Sequence, residues 1–423
     1  MKTFLFESYE FTPETRTAAF RYSFDHEMFF TEKVVFSEIA IYDQAALDRA
    51  LFLAFIITGV SYYKLFPRTA VEWKAGGIDA WQSSFLNKVY QEGLGQFAFE
   101  NNLTRQDLAQ FSEANVAVVF EPIAYTGEGI MALQSGGKDS LLTAETLREK
   151  GDAFDSFYIS SGTAHPAMLD EIGDRLLVAR RYVDIPAIMA ARGEGALNGH
   201  VPVTFIVLSF ALLQAVLLNR KTVIASIGHE GEEPHAWIDD LAVTHQWSKT
   251  WDAEVLFSEY VSRYISPDVQ VGSPLRRFTE LRIAELFIEK AWSKYGHTFS
   301  SCNKANYTQG ADNTHLKWCG NCPKCANSYL LFAPFLDATE LKSIFDGQDL
   351  FTKPTLQDTF KGLLGIDGAM KPFECVGETD ELRLAYHKAQ ARGGYASFDF
   401  DVPESNYDYL QQFPYQTALS LFD

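Results

Sequence analysis

Gln134-Ser135-Gly136-Gly137-Lys138-Asp139-Ser140 is the stretch on which the reading of this chain turns. An apolar run at 130–133 leads into it, and a helix-like run at 141–150 follows. A strand that turns through two glycines into a helix start builds a phosphate cradle. The glycines let backbone N–H groups approach an anion, and the helix N-terminus adds partial positive charge. Asp139 inside such a cradle implies that a cation accompanies the phosphates, which is the chemistry of a magnesium nucleotide. The plainer alternative is a Gly-Gly turn with Asp139 or Ser140 as an ordinary helix cap. A Walker A loop is excluded, because Asp139 follows Gly137-Lys138 and Ala132 stands where the first glycine belongs. The G-x-G-x-x-G dinucleotide pattern is absent here as well.

The stretch resembles the SGGxDS loop of the PP-loop ATP pyrophosphatases, which cleave ATP between the α- and β-phosphates. That resemblance implies hydroxyl donors at Ser135 and Ser140. It also implies a pyrophosphate held by the backbone of Gly136, Gly137 and Lys138, and Mg²⁺ held by Asp139 directly or through water.

Composition narrows the field. A chain of 423 residues can bury a large core and suggests two or three domains. The formal net charge of −19 argues against nucleic acid as a partner, because phosphate contacts need a basic face. Glu7 and Glu10 interrupt the first segment before an apolar leader core forms. The apolar run at 203–218 carries Thr204, Ser209 and Gln214 and is shorter than a bilayer span, so it reads as a buried helix. A soluble, cytoplasmic protein without membrane insertion is expected.

The pattern along the chain predicts an α/β fold with three parts: an N-terminal α+β domain at 1–126, a parallel-sheet PP-loop domain at 127–300, and a four-cysteine metal-binding segment with a helical tail at 301–423. In the first part Phe20, Tyr22 and Phe24 alternate with polar residues as in a half-buried strand, and Asp25-His26-Glu27 turns it into a strand at 28–36. Leu47, Ala50, Leu51, Ala54 and Phe55 mark one helix, and Trp81, Phe85 and Val89 mark another. Residues 116–120 read as a strand, and Gly127-Glu128-Gly129 as the boundary. Beyond it, strands at 130–134, 156–160, 176–183 and 222–227 alternate with helices at 140–150 and 203–218. A helix at 281–292 leads to the cysteines. Ligands of such sheets sit at the carboxyl ends of strands, where Ser160 and Gly228-His229-Glu230 also fall.

Cys302, Cys319, Cys322 and Cys325 give C-x16-C-x2-C-x2-C. Four thiolates at this spacing can close a tetrahedron, the geometry of structural zinc. The run 319–325 also fits the opening of a ferredoxin-type iron–sulfur motif, and His315 is an alternative to Cys302. A similar C-G-x-C-x-x-C end follows the nucleotide domain in cyano-deazaguanine synthase, where the metal is structural. Cys375 stands apart.

Several segments together resemble the epimerases of UDP-N-acetylmuramoyl-L-alanyl-L-glutamate in peptidoglycan synthesis. They are Gly59-Val60-Ser61-Tyr62-Tyr63-Lys64, Asn198-Gly199-His200-Val201-Pro202-Val203, His245-Gln246-Trp247-Ser248-Lys249, Thr279-Glu280-Leu281-Arg282-Ile283-Ala284 and Pro372-Phe373-Glu374-Cys375-Val376-Gly377. The resemblance implies that ATP adenylates the α-carboxylate of the terminal L-glutamate. The activated ester loses its α-proton to a base and regains one on the opposite face. Hydrolysis then releases the D-glutamyl product, AMP and pyrophosphate. Candidates for the proton transfers are Cys375 with Glu374 on one face and His229 with Glu230 on the other, with His200 and His245 behind them. Cations for the substrate's diphosphate and carboxylates are expected from Lys64, Lys249, Arg276-Arg277 and Arg180-Arg181.

Other readings compete. A PP-loop enzyme that amidates a carboxylate or makes a nitrile from it would need free ammonia, because no cysteine nucleophile lies before Cys302. A tRNA-thiolating enzyme conflicts with the charge and with the lack of two free cysteines. A nucleotide-binding regulator without turnover conflicts with the intact Ser135–Ser140 loop.

Overall fold

The computed structural model describes residues 2–115, 121, 123–307, 314–415, 419 and 421. The strand expected at 116–120 lies outside them. An antiparallel meander opens the chain: β1 (Thr3–Thr12), β2 (Thr17–Phe24) and β3 (Met28–Val35). Period-two alternation buries Phe4 and Phe6 from β1 and Phe20, Tyr22 and Phe24 from β2. Between β2 and β3, Asp25 and His26 take φ of 55° and 56°, and the Glu27 N–H donates to Phe24 O at 3.0 Å. Two left-handed residues give a hairpin turn whose twist suits the flanking strands. β4 (Ala70–Trp73) pairs parallel to β1. Neither β1 nor β4 is evident from the pattern, because Glu7 and Glu10 break up the first and the second is only four residues long.

The remaining strands are β5 (Ile130–Leu133), β6 (Phe154–Ser160), β7 (Arg175–Tyr182), β8 (Thr222–Ile224), a separate ribbon of β9 (Ala236–Ile238) and β10 (Leu241–Val243), and β11 (Gln270–Gly272). Nine of them form one sheet in the order β11-β8-β5-β6-β7-β3-β2-β1-β4. From β11 to β7 every pairing is parallel, and β7 then joins β3 antiparallel, with Val34 opposite Arg181. The sheet therefore runs without a break across residue 126.

Two apolar layers cover the sheet. One holds the helices Gln44–Thr58, Val203–Leu217 and Trp251–Tyr264 with the N-terminal strands. The other holds Lys138–Lys150, Glu280–Lys290 and Pro323–Phe332 with the C-terminal helices Gln357–Leu364 and Thr379–Arg392. The helix expected at 203–218 is buried, as its apolar pattern implies. A longer apolar stretch, Gln44–Tyr63, is long enough to cross a membrane, yet 83% of its most apolar window is buried inside the protein.

β5 lies at the point where the strand order reverses. The chain runs from β5 to β6 and β7 on one side, then returns to β8 on the other. The crevice at the carboxyl end of such a pair is where open α/β sheets place ligands. The glycine loop leaves β5 at that crevice, and Gly228-His229-Glu230 lies beyond the end of β8.

Candidate functional site

The helix after the glycine loop starts at Lys138, two residues earlier than its apolar pattern indicates. Gly136 has φ of +76°, and Gly137 is the N-cap with no side chain to offer. The first-turn N–H groups therefore have no intrahelical acceptor, and no side-chain cap among the described residues. A Cβ at Gly136 would lie 2.3 Å from Leu316 Cδ1, and one at Gly137 would lie 3.1 Å from Ser301 Oγ. The cradle is thus shaped by the absence of side chains, which fits an anion held by backbone amides.

Lys138 does not point outward. Its buried ammonium bridges Asp139 Oδ1 at 2.5 Å and Glu280 Oε2 at 2.6 Å. Burial disfavours its charge, but the two carboxylates outweigh that and raise its pKa. Burial, aided by Asp139 and Glu230, pushes Glu280 up against the pull of Lys138, and its Oε1 has no hydrogen-bond partner among the described residues. Glu280 opens a helix behind its Thr279 N-cap. In the sequence it reads as an acidic first-turn residue complementing the helix dipole, so nothing local signals its place beside the cradle.

A small pocket lies near the cradle, and His229, Glu230, His245, Lys249, Glu374 and Cys375 line it. The four expected proton-transfer candidates are therefore gathered in one place. Glu230 receives Lys249 Nζ at 3.2 and 3.4 Å. Burial alone would push the Glu230 carboxyl up, but Lys249, then Lys324 and Lys138, hold it below the ordinary carboxylate range. Burial pushes the Cys375 thiol up despite Lys249 and Lys324, and it also raises Glu374. Lys249 stays charged, because the acidic groups around it, with Glu230 and Asp139 carrying the charge while the Cys375 thiol is protonated, overcome its burial.

His229 has both ring nitrogens engaged, Nε2 with Glu378 at 3.1 Å and Nδ1 with Tyr415 at 2.9 Å. Its ring stacks on Phe413. His200 and His245 stand 4.8 Å apart between ring centroids. Burial pushes His200 down to about 4 and His245 down to about 2. Lys64 donates to Gly199 O, beside His200, and burial lowers it to about 8.

Arg276, Arg277 and Arg181 bond within the protein, whereas Arg180 is exposed. Arg276 has no exposed surface. It binds Glu254 through Nε and Nη2, and its Nη1 donates to Gly228 O at 2.9 Å and Lys249 O at 2.7 Å. It therefore braces the backbone next to Glu230 and at Lys249. Arg277 donates to Gln412 at 2.6 Å, and Arg181 pairs with the buried Glu32 at 2.8 Å. Ser160 Oγ closes its own turn through Gly162 and Ala164.

Cys302, Cys319, Cys322 and Cys325 bring their sulfurs within 4.8 Å of one another. Three of the separations are 3.5, 3.6 and 3.7 Å. Sulfurs around tetrahedral zinc, each at about 2.3 Å, lie about 3.8 Å apart. Ala305 N–H and Asn321 N–H point at Cys302 and Cys319. The donor set fits a metal ion held by four cysteines. His315 bonds to Thr314 instead and stands outside the group.

A glycine cradle at a switch point, a four-cysteine knuckle and an acid–base pocket define an α/β protein equipped to handle an anionic ligand. Comparison with known proteins gives the family. The model of the MurL N-terminal domain matches residues 1–273 and that of the MurL C-terminal domain matches 298–400. A protein of Salinispora tropica named UDP-N-acetyl-alpha-D-muramoyl-L-alanyl-L-glutamate epimerase is 33% identical, over 99% of this chain and 91% of its own. Proteins of the same name from Xanthomonas oryzae pv. oryzae and a Micromonospora species are 32% and 33% identical, each over 91% of this chain and over 85% and 86% of their own. The chain belongs to the MurL family.

Proposed function

We propose that this protein is an ATP-dependent epimerase that inverts the terminal L-glutamate of UDP-N-acetylmuramoyl-L-alanyl-L-glutamate in the cytoplasm, for peptidoglycan synthesis. The observation that carries this reading is the likeness over nearly the whole chain to relatives named for that substrate. In this reading residues 127–300 form a PP-loop unit for the nucleotide. Residues 301–423 supply the zinc knuckle and the thiol, and 1–126 complete the substrate side with Lys64.

A carboxylate suppresses loss of the neighbouring proton, because the carbanion would add to existing negative charge. Attack of the glutamate α-carboxylate on the α-phosphorus of ATP forms an acyl-adenylate and expels pyrophosphate. Backbone N–H groups of Gly136, Gly137 and Lys138, with the hydroxyls of Ser135 and Ser140, receive the pyrophosphate. Asp139 is the residue that would hold Mg²⁺, whose charge offsets that of the phosphates.

Glu230 then removes the α-proton, the electrons move onto the carbonyl oxygen of the acyl-adenylate as an enolate, and the Cys375 S–H protonates the α-carbon from the opposite face. This direction follows from the resting states, with the carboxyl held ionised and the thiol held protonated. Lys249 faces both groups, and its ammonium stabilises the enolate oxygen. Water cleaves the mixed anhydride to the D-glutamyl carboxylate and AMP.

The deciding experiment is incubation with ATP, Mg²⁺ and the L-glutamate-terminated UDP-muramoyl dipeptide. AMP formation and D-glutamate after hydrolysis are expected. Pyrophosphate exchange that ignores this dipeptide and responds to a carboxy-deazaguanine would move the protein to the nitrile-forming enzymes. Asp139→Asn is expected to cut substrate-dependent ATP–pyrophosphate exchange at least about 100-fold. Exchange at the wild-type rate would remove Asp139 from the metal site.

A further inference from the structure

The cysteine knuckle touches the rest of the site on two sides. Towards the glycine loop, Ser300 N–H donates to Gly136 O at 3.2 Å and Tyr307 Oη to Ser135 O at 3.1 Å. Leu316 covers Gly136. Towards the thiol, Lys324 Nζ donates to Cys375 O at 2.7 Å, and Asn327 Oδ1 accepts from Gly377 N–H at 3.0 Å. Asn303 Nδ2 lies 3.4 Å from Glu374 Oε2. Lys324 sits between two of the cysteines, and Asn327 follows on the helix that Cys322 caps. Residues 374–377 belong to no helix or strand, so these bonds are a main constraint on where Cys375 stands.

We infer that the four-cysteine knuckle is a clamp that fixes the pyrophosphate loop and the Cys375 segment in mutual register, with Lys324 and Asn327 as positioning residues for the thiol. The chemistry assigned to the two clamped segments rests on the proposed function. The clamp itself rests on the contacts. A metal ion joining Cys302 to Cys319, Cys322 and Cys325 would tie the segment 300–307 that touches the loop to the helix that touches the thiol. Lys324 bonds to Cys375 O and Asn327 to Gly377 N–H, on the thiol side of the knuckle rather than the side of the 135–140 loop. Their loss should therefore spare adenylation and impair proton transfer, since a shift of about 1 Å in a reacting group can cost about 100-fold.

The test uses full-length, zinc-loaded protein carrying Asn327→Leu or Lys324→Met. Expected are one zinc per chain as in wild type, and amide hydrogen exchange at 374–377 faster by about tenfold or more. Epimerisation kcat should fall about 10- to 100-fold while substrate-dependent ATP–pyrophosphate exchange stays within about twofold. Lys324→Arg, which keeps a donor for Cys375 O, should restore most of the loss. Tyr307→Phe should show the opposite split, with KM for ATP raised about two- to tenfold and the proton-transfer step spared. Unchanged protection at 374–377, equal loss of both half-reactions, or Lys324→Arg no better than Lys324→Met would overturn the clamp. If Asn327→Leu does not accumulate, the less buried Lys324 carries the same decision. Should wild-type protein show no dipeptide-dependent exchange, the proposed function fails, while the hydrogen-exchange result still decides the clamp.

Discussion

Glu230 is buried and Cys375 half-buried beside it, and they rest in opposite protonation states. A carboxyl ordinarily gives up its proton far more readily than a thiol, and the environment widens that gap: Lys249, bonded directly to the carboxylate, overcomes burial at Glu230, whereas at Cys375 burial wins over the through-space pull of the same ammonium. The two groups are therefore expected to fail differently. In D₂O, Cys375→Ala should still exchange the α-proton of recovered L-substrate, because Glu230 can remove it and return a deuteron to the same face. Inversion should fall at least about 100-fold. Glu230→Gln should lose both exchange and inversion from the L side. If Cys375→Ala inverts normally, the thiol is a buried apolar side chain, and the acid must be sought in Glu374 or His229. Arg276 illustrates a different use of charge. Burying a guanidinium costs several kcal/mol unless it is paired and hydrogen-bonded, and here Glu254 and two backbone carbonyls meet that need.

At the scale of elements, the β5 loop and the histidine-bearing loops each make a measurable claim. Gly136→Ala places a side chain at φ +76° against Leu316. The tip of Leu316 can rotate away, so the cost is mainly backbone strain, about 1–3 kcal/mol in urea unfolding. An unchanged midpoint would mean that the loop is not held in this shape. His200, His235 and His245 are pushed by burial to about 4, 4 and 2. Unfolded histidine takes a proton near pH 6.5, so each stays neutral in the native state while the unfolded chain is charged. Stability is full above about pH 6.5 and falls as pH drops towards 4, by up to about 1.4 kcal/mol per unit for each group. Glu381 acts in the other direction. Burial pushes it up to about 8, so the native state keeps a proton that the unfolded chain loses near pH 4.3, and stability falls as pH rises from there to 8. Glu280, pushed up to about 7, adds to Glu381; three histidines outweigh these two carboxyls below pH 6.5, and the carboxyls act without them above it. Urea midpoints across pH 4–8.5 should therefore be flatter on the acid side in His245→Gln and on the alkaline side in Glu381→Gln. Acid limbs that coincide in His245→Gln and wild type would show that His245 titrates normally.

At the scale of the molecule, what the sequence disclosed and what it hid follow from the range of the interactions. The glycine cradle, the hairpin at Asp25-His26 and the four-cysteine knuckle are local patterns whose geometry is set within a few residues, and they are legible. The buried roles of Glu280 and Arg276 depend on partners elsewhere in the chain, so Glu280 reads as an ordinary first-turn acid and Arg276 as a cation for the substrate. The continuous sheet is hidden for the same reason, because the pairing of β3 with β7 joins residues about 150 positions apart. That pairing yields the last prediction. A fragment of residues 127–423 would leave β7 as an unpaired edge and strip the helices Val203–Leu217 and Trp251–Tyr264 of the N-terminal residues packed against them. An exposed edge beside a large apolar face templates aggregation. The fragment should elute as aggregates in size-exclusion chromatography and bind a hydrophobic dye, while co-expressed 1–126 should rescue it as a 1:1 complex. A monodisperse 127–423 fragment with native hydrogen-exchange protection in β5, β6 and β7 would show that the sheet, although continuous, is built from two parts that fold independently.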